Sequence, residues 1–107
     1  MIRVFLVDDQ TLVRQGIRSL LALADGIEVV AEAADGRQAL EAIPQVRPDV
    51  VLMDMRMPVM SGLEALQALG RAGVLPPTII LTTFDDDQLV LAGIKAGAKG
   101  YLLKDVS

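Results

Sequence analysis

The stretch Ile2-Arg3-Val4-Phe5-Leu6-Val7-Asp8-Asp9 decides the fold class, because a short apolar run stops there at two adjacent carboxylates. Such a run, rich in β-branched and aromatic residues, is typical of a strand buried on both faces. The chain of 107 residues is 52% apolar, but each apolar run is shorter than the ~18 residues of a membrane span. We predict one domain over residues 1–107, with helices covering a parallel sheet, no membrane partner and a cytoplasmic location.

The composition excludes several kinds of functional site. The chain has no cysteine and no histidine, which excludes disulfides, the common zinc, haem and iron–sulfur sites, and Ser–His or Cys–His nucleophiles. A bound metal would be a hard cation with oxygen ligands, such as magnesium, manganese or calcium. The formal net charge of -4 argues against non-specific binding of nucleic acid by these residues.

Strand-like and helix-like segments alternate along the chain. The apolar runs predict strands at Ile2–Val7, Ile27–Ala31, Val50–Met53, Thr78–Thr82 and Gly100–Leu103. Apolar residues at helical spacing predict helices at Gln10–Ala24, Arg37–Ile43, Gly62–Leu69 and from a capping-box-like Thr83–Asp86 to about Ala96. Pro44 and Pro48 are expected to bracket the loop after the second helix. The alternation predicts an α/β domain with a doubly wound, parallel five-stranded sheet.

Polar side chains follow four of the predicted strands where each strand ends. The carboxyl ends of parallel strands meet at one edge of the sheet, where ligands bind. Three carboxylates there would repel one another unless a hard divalent cation and a lysine relieve the repulsion. The pattern therefore predicts a phosphoryl-accepting site in which one aspartate forms an acyl phosphate. Its members are Asp8 and Asp9 after the first strand, Asp54 after the third, Thr82 and Thr83 after the fourth, and Lys104 after the fifth.

Each of these residues also has a purely structural interpretation. Asp8 and Asp9 could cap the first helix, Asp54 could simply end a strand, and Lys104 could be a surface lysine. Their coincidence at the ends of four strands favours the functional interpretation.

Four stretches carry a family resemblance: Val7–Asp9, Asp54–Gly62, Leu81–Thr83 and Gly97–Asp105. Together they resemble the receiver domain of two-component response regulators over all 107 residues. Leu81–Asp87 and Gly100–Asp105 are most similar to the NarL/LuxR-type subfamily. The resemblance implies a flavodoxin-like receiver fold with strand order 2-1-3-4-5 and a fifth helix, which would be absent from this chain.

The resemblance implies that Asp54 accepts a phosphoryl group and that Mg²⁺, or Mn²⁺ in its place, is the cofactor. Asp9 and Asp54 would bind the ion directly, Asp8 would bind it through water, and the backbone carbonyl of Arg56 would complete the protein ligands.

The resemblance also implies how a phosphoryl group on the acceptor is held and sensed. The Thr82 hydroxyl and the Lys104 ammonium would contact it, and the backbone amides of Arg56 and Thr83 would donate hydrogen bonds to it. Tyr101 would move inward together with Thr82, which alters the face formed by the fourth helix and fifth strand.

Two departures from the family pattern carry expectations of their own. Arg56 and Phe84 occupy the positions that tune phosphoryl lifetime, and the Phe84 ring predicts slow self-dephosphorylation, testable as the decay of the phosphorylated chain against Phe84→Glu. Asp105 replaces a proline that many receivers join to the lysine by a cis peptide bond, which leaves that bond's isomer open.

The resemblance implies partners as well. A sensor histidine kinase would donate the phosphoryl group, and DNA would be contacted only through a C-terminal output domain that is not in this chain. Without a fifth helix, the sheet face shared with the first helix should be half bare, lined by apolar residues of strands one, four and five. That surface predicts a homodimer, a domain-swapped oligomer or marginal stability.

Three other functions share part of this pattern. A flavodoxin-type cofactor binder would need a phosphate loop after the first strand, where Asp8 and Asp9 would repel phosphate. A phosphatase of the haloacid dehalogenase type would need Asp-x-Asp there rather than two adjacent aspartates. A pseudo-receiver that acts only as a protein interaction module remains the alternative to the switch, although the chemical positions are all filled.

Overall fold

The computed structural model describes residues 1–83 and 86–104 of the chain. Strands and helices alternate throughout these residues, as the sequence predicts. The strands are β1 (Ile2–Val7), β2 (Ile27–Ala33), β3 (Val50–Asp54), β4 (Thr78–Thr82) and β5 (Gly100–Leu103). The helices are α1 (Thr11–Ala22), α2 (Gly36–Val46), α3 (Gly62–Arg71) and α4 (Asp87–Lys95).

The strands form one parallel sheet in the order β2-β1-β3-β4-β5. This confirms the predicted flavodoxin-like order. β2 is added on one side of β1, and β3, β4 and β5 are added on the other side, so the strand order switches between β1 and β3. Within the described ranges no helix follows β5, and none of the helices is long and apolar enough to cross a membrane.

The closed face of the sheet is the one covered by α2, α3 and α4. Its core is continuous and excludes solvent, because side chains from β1, β3 and β4 interdigitate with the apolar stripes of these helices. Its largest fully buried members are Phe5, Ile43, Met53, Met55, Leu66, Leu69 and Ile80.

The open face of the sheet is the one on which α1 lies. Its buried cluster is small and consists of Val4, Leu6, Leu52 and Leu81, with Ile17 and Leu21 of α1 packed against it. Beside α1 a groove of about 480 Å³ remains, lined on the sheet side by Leu52, Leu81, Leu102 and Leu103. A half-bare face was predicted over strands one, four and five, but α1 covers strand one and the groove lies over strands three, four and five.

Two predicted boundaries are wrong for local reasons. β2 continues to Ala33 because it pairs with β1 as far as Val7, and α2 then begins at once, with the Asp35 carboxylate accepting a hydrogen bond from the Gln38 amide. α2 also runs through Pro44, which was expected to start a loop. A proline in the last turn removes only one amide donor. The helix ends two residues later at Val46. Its C-cap residue Arg47 has a left-handed backbone and donates its amide to the Ile43 carbonyl.

The expected capping box at Thr83 is also wrong. α4 begins at Asp87 and its N-cap residue is Asp86, while the Thr83 hydroxyl donates a hydrogen bond of 3.3 Å to the Asp86 carboxylate. The predicted end of α1 is also wrong, because the helix ends at Ala22, two residues before the predicted end at Ala24.

Candidate functional site

A buried ion-paired cluster lies at the carboxyl edge of the sheet. The Lys104 Nζ is 3.1 Å from the Asp8 Oδ2 and 3.2 Å from the Asp54 Oδ2. Asp8 and Asp54 are both buried, and Asp9 beside them is exposed. Ligand oxygens of the three aspartates lie within 4.8 Å of one another. The structure therefore brings together the three carboxylates and the lysine that the sequence predicted at this edge.

The register of the parallel strands produces this cluster. Val7 of β1 pairs with Met53 of β3, so Asp8 and Asp54 follow side by side at adjacent strand ends. Asp54 in turn pairs with Leu81 of β4, which places Thr82 next to it. The Lys104 amide donates to the Thr82 carbonyl at 2.7 Å, which fixes the lysine backbone beside β4.

The loop after β3 is held close beneath Asp54. The Gly62 amide donates to the Met55 carbonyl at 3.1 Å, and a Cβ on Gly62 would lie 1.9 Å from the Asp54 carbonyl oxygen. Ser61 and Glu64 form a reciprocal capping box at the start of α3. Only glycine allows the helix to begin this close to the strand end, so the Asp54 backbone packs directly against the start of α3.

Asp8 is held from two sides. Its Oδ1 accepts a hydrogen bond from the Gln10 amide at 2.9 Å, and its backbone carbonyl accepts one from Arg14 at 2.6 Å. The N-cap residue of α1 is Gln10, so neither Asp8 nor Asp9 caps that helix. The structural interpretation of these two aspartates as caps is therefore wrong.

The charges in the cluster shift one another's titration. Burial is the main cause that raises the pKa of Asp54, and the nearby Asp8 carboxylate raises it further, against the opposing effect of Lys104. Burial also disfavours the charged form of Lys104, but its hydrogen bond to Asp8 and the Asp54 charge outweigh this and raise the lysine pKa. Lys104 therefore stays charged and shares one positive charge between two carboxylates.

Two buried carboxylates and one exposed carboxylate, together with one lysine, suit a hard divalent cation. Their oxygens are the ligands that Mg²⁺ and Mn²⁺ prefer, and one ammonium leaves the cluster with excess negative charge. A cavity of about 300 Å³ opens onto Asp9, Asp54 and Lys104, and Arg56 contributes to its wall. The residues present fit the cation that the sequence predicted.

The other predicted residues lie around this cavity at different distances. The Arg56 amide points to the Asp54 Oδ1 at 3.4 Å, and Thr83 lines the same cavity. Thr82 is buried at the strand end, where its hydroxyl donates to the Thr83 carbonyl at 3.3 Å. Tyr101 is exposed on β5 and shares a separate small cavity with Thr82. Phe84 and Asp105, with the bond before Asp105, lie outside the described residues.

Sequence reasoning missed Asp86 as a partner of Arg56. The Arg56 Nε is 3.0 Å from the Asp86 Oδ2, and its Nη2 is 2.7 Å from the Asp86 Oδ1. The hydrogen bond from Arg56 is the main cause that lowers the pKa of Asp86. Asp86 was interpreted only as part of a capping sequence, and nothing in the local pattern links two residues 30 positions apart.

Comparisons with known proteins agree with this architecture. The family model of the response regulator receiver domain matches residues 4–107. The nitrate/nitrite response regulator protein NarP of Escherichia coli (strain K12) is 52% identical over 103 residues, which cover 96% of this chain and 48% of NarP. The transcriptional regulatory protein LnrK of Bacillus subtilis (strain 168) is 42% identical over 107 residues, 100% of this chain and 49% of LnrK. The chain thus spans about half the length of the curated relatives it matches.

Solved structures give the same result. A two-component response regulator of the LuxR family from Aurantimonas sp. SI85-9A1 superposes with a TM-score of 0.88 at 36% identity, over 96% of this chain and 74% of that one. The response regulator domain of Thermotoga maritima CheB superposes with a TM-score of 0.92 at 27% identity, over 100% of this chain and 81% of that one.

Proposed function

Because this chain belongs to the response regulator receiver family, we propose that it is a phosphorylation-dependent switch whose acceptor is Asp54. A sensor histidine kinase donates the phosphoryl group in the presence of Mg²⁺. The switch controls a DNA-binding output domain that lies outside residues 1–107 and regulates transcription. The observation that carries the proposal is the Asp54 carboxylate, which lies beside Lys104 at the edge of an open, acidic cavity.

The surroundings of the three aspartates favour Asp54 as the acceptor. Asp8 is fully buried and is not among the residues that line the cavity. Asp9 is exposed and lies at the rim. Asp54 alone among the three combines a backbone fixed by Gly62 with a carboxylate that faces the cavity.

The proposed reaction is a transfer between two nucleophiles. An oxygen of the Asp54 carboxylate forms a bond to phosphorus while the bond from phosphorus to the kinase imidazole nitrogen breaks. The nitrogen keeps the electron pair, and the product is an acyl phosphate. Catalysis of such a transfer is mostly positioning and charge stabilisation, so the chain needs no further nucleophile or base.

The remaining residues have proposed roles in holding the group once it is transferred. Lys104 keeps its charge and pairs with the phosphoryl oxygens, and the Thr82 hydroxyl and the amides of Arg56 and Thr83 donate hydrogen bonds to them. Tyr101 follows Thr82, with which it shares a cavity. Asp8, Asp9, Asp54 and the Arg56 carbonyl would hold Mg²⁺, which supplies charge neutralisation for the transferred group.

The open face supports self-association as a second property of these residues. Leu12, Leu20, Leu102 and Leu103 are exposed around the groove, and a cluster of exposed apolar side chains is typical of an interaction surface. We expect a homodimer or a swapped oligomer in sedimentation velocity, and charged substitutions such as Leu20→Lys should dissociate it. A monomer at high concentration would contradict this expectation.

Acetyl phosphate and Mg²⁺ followed by intact mass spectrometry test the proposal. The parent chain should gain one phosphoryl group, and Asp54→Asn should gain none. Asp25→Asn is the matched control, because it removes one acidic group from an exposed turn and should leave the gain intact. No gain in the parent would contradict the switch and favour a pseudo-receiver that acts as an interaction module.

A further inference from the structure

An ion pair connects the loop after β3 to the residue before α4. Its two hydrogen bonds, of 3.0 Å and 2.7 Å, join the Arg56 guanidinium to both oxygens of the Asp86 carboxylate, and the Thr83 hydroxyl donates to the same carboxylate at 3.3 Å. The Asp86 side chain is only 13% exposed, whereas the Arg56 side chain is 71% exposed. A two-pronged pair of this kind is directional and stronger than a single contact.

This pair lies at the mouth of the acceptor cavity. Arg56 and Asp86 line the cavity together with Asp54 and Lys104. The Arg56 backbone amide points to the acceptor carboxylate while its guanidinium points to Asp86. A strong cation thus stands two residues from the acceptor, with its charge directed to a different carboxylate.

We propose that Asp86 is a positioning residue that holds the Arg56 guanidinium away from Asp54, and that a phosphoryl group on Asp54 competes with Asp86 for it. This inference rests on the function proposed above. A phosphoryl group carries about −1.5 to −2 charges and three acceptor oxygens, so it is a stronger partner for guanidinium than one carboxylate. Because Asp86 is the N-cap residue of α4, the exchange changes the contacts at the start of that helix when the acceptor is modified.

The pair also restrains the entry of anionic donors. Asp86 places a carboxylate at the cavity mouth beside Arg56, so removing this carboxylate makes the local charge more positive and should attract acetyl phosphate. Near a partly exposed site, one charge changes association rates by about three- to fivefold at low ionic strength, and salt screens the effect. The released guanidinium should also stay with the transferred group and slow its hydrolysis.

Phosphorylation by acetyl phosphate in Mg²⁺ buffer tests this with a matched pair of variants. We expect Asp86→Asn to raise the phosphorylation rate about three- to fivefold at low salt, to lose most of that gain at high salt and to lengthen the phosphoryl lifetime. Asp87→Asn removes the same charge from the next residue, which is exposed and lies outside this cavity, and should change both quantities much less. Asp86 makes no side-chain capping bond to the described part of α4, so asparagine should leave the helix start intact.

Variants that lack Arg56 show whether Asp86 acts by positioning the guanidinium or only through its own charge. In an Arg56→Ala background, Asp86→Asn should no longer lengthen the phosphoryl lifetime, because no guanidinium is left to pair with the transferred group. Equal effects of the two asparagine variants in the parent, or an undiminished effect of Asp86→Asn on the lifetime without Arg56, would overturn the inference. A parent that takes no phosphoryl group would overturn the proposed function and this inference with it. A parent that is phosphorylated but fails the comparisons above would overturn this inference alone.

A second measurement does not depend on phosphoryl transfer. The side-chain Nε–H signal of Arg56, assigned with Arg56→Lys, should exchange slowly with solvent in the unmodified chain and in Asp87→Asn. It should exchange rapidly in Asp86→Asn. A signal that Asp86→Asn leaves unchanged would show that the pair does not hold the guanidinium and would overturn the inference.

Discussion

The closed face of the sheet carries the larger fully buried core, whereas the open face leaves several large side chains in contact with solvent. On the closed face Phe5, Met53 and Leu69 are inaccessible, and on the open face Leu20 and Leu103 are more than half exposed. The contacts that fix the Asp54 backbone, through Gly62 and α3, come from the closed side. The comparison teaches that the backbone of Asp54, the proposed acceptor, is positioned from the closed face of the sheet, and the following substitutions test this difference between the two faces.

The largest effect is expected at Gly62, where α3 meets the acceptor strand. A Cβ there would lie 1.9 Å from the Asp54 carbonyl oxygen, and both groups belong to the backbone, so neither can rotate away. We expect Gly62→Ala to lower the free energy of unfolding by about 4 kcal/mol or to prevent folding. Urea unfolding followed by circular dichroism measures the loss.

Gly16→Ala is the control for this substitution on the open side. Gly16 lies within α1, and no described atom approaches within 4 Å of where its Cβ would be. Alanine in a helix interior should raise the free energy of unfolding by about 0.5–1 kcal/mol. If Gly62→Ala and Gly16→Ala lowered the free energy of unfolding by similar amounts, the expected difference between the two faces would be contradicted.

A smaller contrast is expected between two leucines. Leu69 of α3 is fully buried and Leu20 of α1 is 68% exposed. Leu69→Ala should cost about 3 kcal/mol through lost burial and a cavity, and Leu20→Ala should cost less than about 0.5 kcal/mol. If the same urea experiments show comparable costs, the open face packs more tightly in solution than the structure implies.

Magnesium should stabilise the acidic edge where the strands end. The three carboxylates repel one another, and a cation that binds only the folded chain raises the free energy of unfolding by mass action, here by ~1–3 kcal/mol at saturating excess. Asp9→Asn should reduce the gain, and Asp25→Asn should preserve it. A melting temperature that does not respond to millimolar Mg²⁺ would contradict metal binding at this edge.

A smaller effect than that of Gly62 or Leu69 is expected from the charge of Asp54 itself, measured in chelator. Because burial raises the pKa of Asp54, the folded chain binds that proton more tightly than the unfolded chain does. The stability contributed by the protonated form is therefore lost as the pH rises through the folded pKa. Asp54→Asn should raise the free energy of unfolding by about 1 kcal/mol at neutral pH.

The pH dependence checks the cause of this gain. The difference between Asp54→Asn and the parent should shrink as the pH falls and the parent carboxyl takes up its proton. An Asp54→Asn protein that is less stable than the parent at neutral pH would show that the pair with Lys104 outweighs burial and repulsion.

The fold and the cluster of charges were predictable because they depend on local pattern and general topology. Continuous apolar runs marked the five strands, and the convergence of parallel strand ends brought Asp8, Asp54 and Lys104 together. The acceptor role itself came from the family resemblance and stays a proposal until it is measured.

The details that were not predictable depend on contacts between distant residues. The length of β2 is set by its pairing with β1, and the path of α2 through Pro44 is set by its packing on the closed face. Asp86 is identified as a partner only when Arg56, in another loop, is seen to reach it. No periodicity or capping rule applied to one segment contains that information.

The close approach of Gly62 to Asp54 has a consequence for mutational tolerance. Any single-nucleotide change that replaces glycine introduces a Cβ, so every such replacement at position 62 places an atom where the Asp54 carbonyl oxygen leaves no room. If the proposed function is correct, such a variant would lose signalling without any change in its charged residues. Variants at this glycine would then resemble loss of the aspartate eight positions before it.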